Sequence, residues 1–488
     1  MALRRVWTWT RRGAVLVLVA LVTVLAIRAW DTQRGPPLEV WHTYIPEELA
    51  VEALDRASWD DYLAHEAGIF RGLVAEVSQK LEPDDQVPFN RYFTQSPIYP
   101  GGFAVDWNRS YTLDPEGEPQ GAVVLLHGLT DSPYSLRHVA QTYQAEGFAV
   151  VAIRLPGHGT VPAGLLKVKW PEWTAAARLA VREAVGRAGP DKPLHIVGFS
   201  NGGAIALKYA MDAVDRDDLR QADQLVLVSP MVGITAFARF AGIAGWPAVF
   251  PRWAKAAWIA IIPEFNPFKY NSFPVNGARQ SHQVTMALQA DLRRHEEAGR
   301  LGVLPPVLTF QSVVDFTVST HAVVNTLHAR LPAGRSEIVL FDANRSTKFG
   351  PLLRADPETV LTRLLPPAPR SFTTTILTNL GPDRLEVVAR ISEAGSTVET
   401  TTEPLGLFYP PDVFSLSHVA VPFPVTDSLY GLRPEPEDEF GVSLGAMATR
   451  GERGILVVSI DALLRMASNP FFDFMMAKIS SVIRAEGV

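Results

Sequence analysis

The sequence predicts an α/β fold, a mostly parallel central sheet with helices on both faces, and three observations carry that expectation. First, short apolar runs that read as strands recur along the chain: Ala122–Leu126, Phe148–Arg154, Leu194–Val197, Gln224–Ser229, Val307–Ser312 and Glu337–Phe341. Their apolar residues are continuous rather than alternating, as in strands covered on both faces. Second, helix-like stretches such as Ala204–Met211 and Ser319–Leu331 fall between them. Third, three of the runs end directly in glycine-containing turns, at His127-Gly128, at Pro156-Gly157-His158-Gly159 and at Gly198-Phe199-Ser200-Asn201-Gly202.

The third turn carries chemistry. A strand, a tight turn and a helix with G-x-S-x-G at the turn form a nucleophile elbow, in which the serine sits in a strained backbone conformation. Gly198 and Gly202 leave room for strand and helix to approach closely. The Ser200 hydroxyl is thereby lifted clear of the sheet, with a helix N-terminus behind it that favours developing negative charge. The alternative, a coincidental match in a glycine-rich loop, is weakened by the flanking strand and helix.

With these residues in view, the chain resembles the α/β-hydrolase superfamily. An apolar strand ending in His127-Gly128-Leu129-Thr130 is similar to the segment that forms half of the oxyanion hole in those enzymes. The resemblance implies that the backbone N–H groups of Leu129 and Asn201 face the carbonyl oxygen under attack. The strand ending in Leu155-Pro156-Gly157-His158-Gly159 looks like the monoacylglycerol lipase and bacterial carboxylesterase branch. His127 and His158 lie beside glycines at strand ends, where an imidazole braces a loop, and neither matches the family's base.

A serine nucleophile needs a histidine to take its proton and an acid to orient that histidine. The superfamily order is Ser, then Asp or Glu, then His. Asp315, just past the Val307–Ser312 run and followed three residues later by Val318, is the expected acid. Its other reading is an N-cap for the Ser319–Leu331 helix. Family habit would put the base after Glu337–Phe341, but Asp342-Ala343-Asn344-Arg345-Ser346 holds no histidine. His321 and His328 follow Asp315 too closely to face it. His418, in Leu416-Ser417-His418-Val419-Ala420, is the expected base, resembling the superfamily's histidine loop displaced by an insertion. A structural histidine capping that segment is the competing reading.

Composition bounds the rest. The 488 residues exceed one typical domain, and 47% hydrophobic content suffices for a large core. With no cysteine, a disulfide framework, a thiolate nucleophile and a cysteine metal site are excluded. The sequence shows no metal-ligand spacing and no phosphate or dinucleotide fingerprint, so no metal and no cofactor are expected. A formal charge of −6 argues against a nucleic-acid partner.

Arg4, Arg5, Arg11 and Arg12 precede an uncharged run from Gly13 to Ile27, a basic segment followed by an apolar one that directs export. Residues 1–30 are expected to be an uncleaved signal anchor, with Arg28 snorkelling and the catalytic body outside the cytoplasm, on the periplasmic side or at the cell surface of a bacterium. A cleaved signal peptide is the alternative. Residues 31–100 read as a mainly helical pre-domain, with Ser58 as the N-cap of a helix stopped by Pro83. Its aromatic residues read as packing surface. Residues 101–230 and 301–350 form the expected hydrolase core, and 231–300 a lid insertion rich in aromatics: Phe237, Phe240, Trp246, Phe250, Trp253, Trp258, Phe265 and Phe268. Residues 351–411 form a β-rich insertion that either extends the main sheet or folds as a flap. Residues 412–488 return to the core with the histidine loop, a strand at Gly454–Ser459 and a helix at Asn469–Arg484.

Together these expectations describe a membrane-anchored serine hydrolase that cleaves carboxylic esters, lipidic by the character of the lid, through Ser200, His418 and Asp315. An acyltransferase or peptidase with the same triad, and a catalytically silent binding protein, are the other classes this sequence admits.

Overall fold

The computed structural model describes residues 2–233, 251–346, 357–401, 404–411, 413–435, 439–445 and 468–486. The strands, in chain order, are β1 (Tyr111–Leu113), β2 (Gly121–Leu126), β3 (Phe148–Ile153), β4 (Leu194–Phe199), β5 (Gln224–Val228), β6 (Trp258–Ala260), β7 (Phe273–Pro274), β8 (Val307–Ser312), β9 (Ser336–Phe341), β10 (Thr373–Asn379), β11 (Val387–Ser392) and β12 (Thr400–Thr401). All but β6 and β7, which pair as a hairpin, join one sheet in the order β1-β3-β2-β4-β5-β8-β9-β10-β11-β12. The seven strands from β3 to β10 are parallel; at the edges β1 pairs antiparallel with β3, β11 with β10 and β12 with β11.

Burial on both faces explains the continuous apolar runs. Val124, Leu126, Ile196 and Leu227 pack into the cluster under helices Trp170–Ala188 and Asn201–Asp215, while Val123, Leu125, Val197 and Val228 pack into the opposite one. The second cluster is closed by Phe471, Met475, Ile479 and Ile483 at and within the C-terminal helix Phe472–Glu486. The Gly454–Ser459 strand lies outside the described residues.

The 351–411 region extends the main sheet: β10 pairs in parallel with β9, and β11 folds back antiparallel onto β10. Ser58 caps the Trp59–Glu76 helix, its side chain accepting from the Asp61 amide. That helix ends at Glu76, before Pro83, and one short 3₁₀ turn, Ser78–Lys80, intervenes.

The pre-domain is built into the core rather than set beside it. Arg154, at the end of β3 and fully buried, donates to both oxygens of Glu48 at 2.7 and 3.0 Å and to Glu66 at 3.0 Å. Glu48 also accepts from the Gly157 amide at 2.7 Å, and Tyr62 donates to the Arg154 carbonyl. Burial raises the Glu48 carboxyl, but the Arg154 charge together with the hydrogen bonds from Arg154 and the Gly157 amide holds the group below its ordinary value.

One expectation needs correcting. In its described part, the 231–300 insertion is not a free helical cap. Its main element, the helix Val275–Glu297, packs Val284, Leu288 and Leu292 into the same cluster as the Asn201–Asp215 helix. Phe237, Phe240, Trp246 and Phe250 lie outside the described residues, whereas Trp258 and Phe268 are buried. At the N-terminus a single helix, Ala2–Arg34, does form, with Leu16, Val17 and Ile27 exposed. Among the described residues, however, no helix is long and apolar enough to cross a membrane. The uncharged stretch Gly13–Ile27 covers roughly 22 Å at the helical rise, short of a hydrocarbon core of roughly 30 Å.

Candidate active site

Ser200 sits between β4 and the Asn201–Asp215 helix with φ 55° and ψ −115°, a conformation costly for a residue with a side chain. Its surroundings leave no alternative. A Cβ on Gly202 would lie 1.9 Å from the Leu126 carbonyl oxygen, and one on Gly198 2.5 Å from the Gly202 oxygen. The turn is locked from both sides, the Ser200 amide donating to the Val228 carbonyl and the Met231 amide to the Ser200 carbonyl, each at 2.9 Å.

The three residues singled out for proton transfer meet. Ser200 Oγ lies 3.0 Å from His418 Nε2, and His418 Nδ1 lies 2.8 Å from Asp315 Oδ2. With Nδ1–H donating to the carboxylate, Nε2 is left to accept the serine proton. Asp315 is fixed in turn, Oδ1 accepting from the amides of Thr317 (2.8 Å) and Val318 (3.0 Å) and Oδ2 from Gln311 Nε2 (3.0 Å). The helix cap that competed for Asp315 is supplied by Ser319, whose side chain accepts from the Ala322 amide. His328 is buried against Thr309 and His321 is exposed, so neither joins the site.

His418 arrives by a detour that closes on its own starting point. Asn344, in the segment where the family's base would stand, donates its amide to the Phe414 carbonyl at 3.0 Å and its Nδ2 to the Val413 carbonyl at 2.8 Å. The chain thus leaves the end of β9, builds three further sheet strands and returns to the same edge. There a 3₁₀ turn, His418–Ala420, presents the imidazole, which stacks on Phe199 at 5.4 Å between ring centres.

Sequence reasoning missed what holds this segment. Asp427, fully buried, accepts from Tyr134 Oη (2.9 Å), Arg137 Nη2 (3.0 Å), His138 Nε2 (2.9 Å) and the amides of Leu429 (3.0 Å) and Tyr430 (2.7 Å). Burial alone would raise this carboxyl. The hydrogen bond from His138 and the Arg137 charge reverse that and bring it down to about 2. Nothing in the local sequence around Asp427 signals partners nearly three hundred positions away.

His127 and His158 brace loops, as expected. His127 Nδ1 donates to the Gly128 carbonyl at 2.9 Å and Nε2 accepts from the Leu155 amide at 3.0 Å. His158 Nδ1 donates to the Pro156 carbonyl at 3.1 Å. Burial, joined by the neighbouring His158 charge, holds His127 well below the ordinary imidazole range, and burial pulls His158 down to about 4, so both are neutral at pH 7.

Ser200 and His418 open onto a cavity of about 430 Å³ lined by Leu129, Phe199, Met231, Ile259, Phe273, Ala278 and Val419, with polar groups from Thr130, Lys269, Tyr270, Asn271, Ser281 and Thr317. Much of this wall comes from the 231–300 insertion. Asn201 begins the helix behind Ser200, and among the described residues neither its amide nor that of Leu129 donates elsewhere. Among the described residues no cluster of His, Cys, Asp or Glu could hold a metal ion.

A parallel sheet with a strained serine at a strand-to-helix turn, paired to histidine and aspartate, defines an α/β-hydrolase core. Residues 117–321 match the family described as serine aminopeptidase, S33. The match takes in Ser200 and Asp315 and stops before His418. A thermostable monoacylglycerol lipase of Bacillus sp. (strain H-257) is 27% identical over 205 residues, 42% of this chain and 73% of that protein. The magnesium-chelatase 30 kDa subunit of Rhodobacter capsulatus is 30% identical over 166 residues, 33% of this chain and 48% of its own. Among solved structures, a metagenome-derived lipolytic enzyme from the LipS and LipT study aligns with a TM-score of 0.40 at 20% identity. It covers 49% of this chain and 89% of its own. A soluble variant of the monoglyceride lipase of Saccharomyces cerevisiae aligns with a TM-score of 0.37 at 16% identity, covering 47% and 81%.

Proposed function

We propose that the protein is a serine hydrolase of carboxylic esters with an apolar, lipid-like acyl group. The observation that carries this reading is the unbroken chain Asp315–His418–Ser200, at 2.8 and 3.0 Å, opening onto a largely apolar cavity. Ser200 Oγ attacks the acyl carbon as His418 Nε2 takes its proton, and Asp315 stabilises the imidazolium. The developing oxyanion is met by the Leu129 and Asn201 amides, the latter at a helix N-terminus. His418 returns the proton to the leaving alcohol, giving an acyl-enzyme, then activates water to release the acid.

The test is reaction with a fluorophosphonate probe together with turnover of p-nitrophenyl esters of graded chain length, with amides and an alcohol acceptor alongside. Medium or long acyl esters should exceed acetate in kcat/KM, since each buried methylene contributes up to about 0.8 kcal/mol. A flat profile removes the lipid-like acyl group from the reading, and faster amide cleavage replaces esterase by peptidase.

For location, we propose that the Ala2–Arg34 helix holds the body at a membrane, on the side opposite the arginine-rich end. Leu16, Val17 and Ile27 of that helix are exposed. Sedimentation with membranes and an active extracytoplasmic reporter fused after Val488 support this; a freely soluble full-length chain overturns it.

A further inference from the structure

The cavity that opens on Ser200 contains one residue whose charge that reading leaves unused. Lys269 lines it, half-buried, and is the only Lys, Arg, Asp or Glu among its described lining residues. Among the described residues its ammonium has neither a hydrogen-bond nor an ion-pair partner. A partly desolvated cation in an apolar wall is unfavourable until a counter-charge arrives.

Among the described residues no carboxylate supplies that charge at contact distance. The carboxylate that senses Lys269 is Asp131, buried behind the oxyanion loop with Oδ1 committed to the Ser132 amide at 3.0 Å. Lys269 is also held in place rather than carried on a loose loop. On one side the Phe268 ring stacks on Tyr134 at 4.2 Å between centres. On the other the Tyr270 amide donates to the Thr130 carbonyl at 2.7 Å, while its hydroxyl accepts from the Thr160 amide at 2.8 Å. The strap is thereby tied to the loop that presents the Leu129 amide, so the Lys269 backbone and that loop keep a fixed relation.

We infer that Lys269 selects, for the esterase reaction proposed above, substrates that carry an anionic group, a carboxylate or phosphate, in addition to the ester. Few polar groups in an apolar pocket fix orientation, and a single unpaired cation is the strongest of them here. An anion at Lys269 would place the ester carbonyl by a second point of attachment.

The experiment uses the full-length protein and two matched pairs. One is p-nitrophenyl hexanoate against mono-p-nitrophenyl adipate, which puts a carboxylate at the far end of the acyl chain. The other is 1-lauroylglycerol against its 3-phosphate, which puts the charge on the alcohol. In at least one pair the anionic member should have roughly tenfold higher kcat/KM at low ionic strength, the ratio shrinking as salt is added. Lys269→Gln should abolish that ratio and Lys269→Arg keep it. The pair that responds tells which side of the ester the cation reads. Equal rates or a neutral preference in both pairs overturn the inference, as does Lys269→Gln lowering both members by the same factor. If Ser200 labels with a fluorophosphonate and neutral esters turn over, such a result sinks the anion reading alone. If neither occurs, both readings fall.

Discussion

Ser200 and His418 meet at 3.0 Å, yet they are placed by opposite means. The serine is positioned by its immediate neighbours: Gly198 and Gly202 permit the close approach that forces φ to 55°, and β4 and the helix after it do the rest. The histidine is positioned by residues far away in the chain. Asn344 pins the returning segment, Phe199 stacks on the ring, and Asp427, nine positions beyond the histidine, fastens its own loop to Tyr134, Arg137 and His138. A serine held by backbone strain and a histidine held by a buried polar hub fail differently, and that difference is open to experiment.

The largest effect is on the chemistry itself. Ser200→Ala and His418→Ala should each lower kcat by several orders of magnitude while leaving the melting temperature near that of the parent. Because the two act as one unit, the double variant should be little worse than either single one. A purified His418→Ala protein with near-normal turnover would take this histidine out of the mechanism.

Next comes the elbow. Gly202→Ala puts a methyl group 1.9 Å from a backbone oxygen, so strand or helix must move. The expected loss exceeds about 3 kcal/mol of stability, more than ordinary overpacking, and activity should vanish with it. Denaturant unfolding measures this, and a variant of normal stability would show that the elbow has room to relax.

The hub should behave otherwise. Asp427→Ala removes the carboxylate that Arg137 and His138 bind, at a cost of about 3–5 kcal/mol if the cluster stays dry. In the material that remains folded, kcat should fall while Ser200 stays in place. The elbow variant cannot show that pattern. Fluorophosphonate labelling that slows in step with kcat would mark His418 as the displaced group.

The smallest effect is a pH dependence. Asp427 is held at about 2 in the fold, below the roughly 3.9 of an unfolded aspartate. A depressed pKa gives stabilisation that is complete above about pH 4 and is lost as pH falls through about 2. The difference is worth about 2 kcal/mol. Asp427→Asn should lack this part of the acid-side slope. Identical slopes in the two proteins would mean the carboxylate is not held in the way its partners imply.

The same contrast explains what could be read from the residues alone. Ser200, the oxyanion strand and the parallel sheet were legible because their causes are local: glycine next to serine, and apolar runs of strand length. Asp315 was legible from its place after β8, though Gln311 as its partner was not. His418 could be reached by elimination, but its support could not, since Asp427 sits in an ordinary polar loop and its meaning depends on Tyr134 and Arg137. The insertion after β5 was misjudged for a related reason. Aromatic content suggested a cap, whereas the helix Val275–Glu297 carries Val284, Leu288 and Leu292 at core-facing spacing and is consumed by the core.

Arg154 has a bearing on how the molecule is inherited and made. Its guanidinium is neutralised by Glu48 and Glu66, both from the segment that precedes the part shared with relatives. A fragment trimmed to the shared part would bury an orphaned cation at the end of a central strand. The leading segment and the sheet are thus one folding unit, not module and accessory. During synthesis the two acids leave the ribosome before the arginine does, so the strand enters a site whose counter-charges are already waiting.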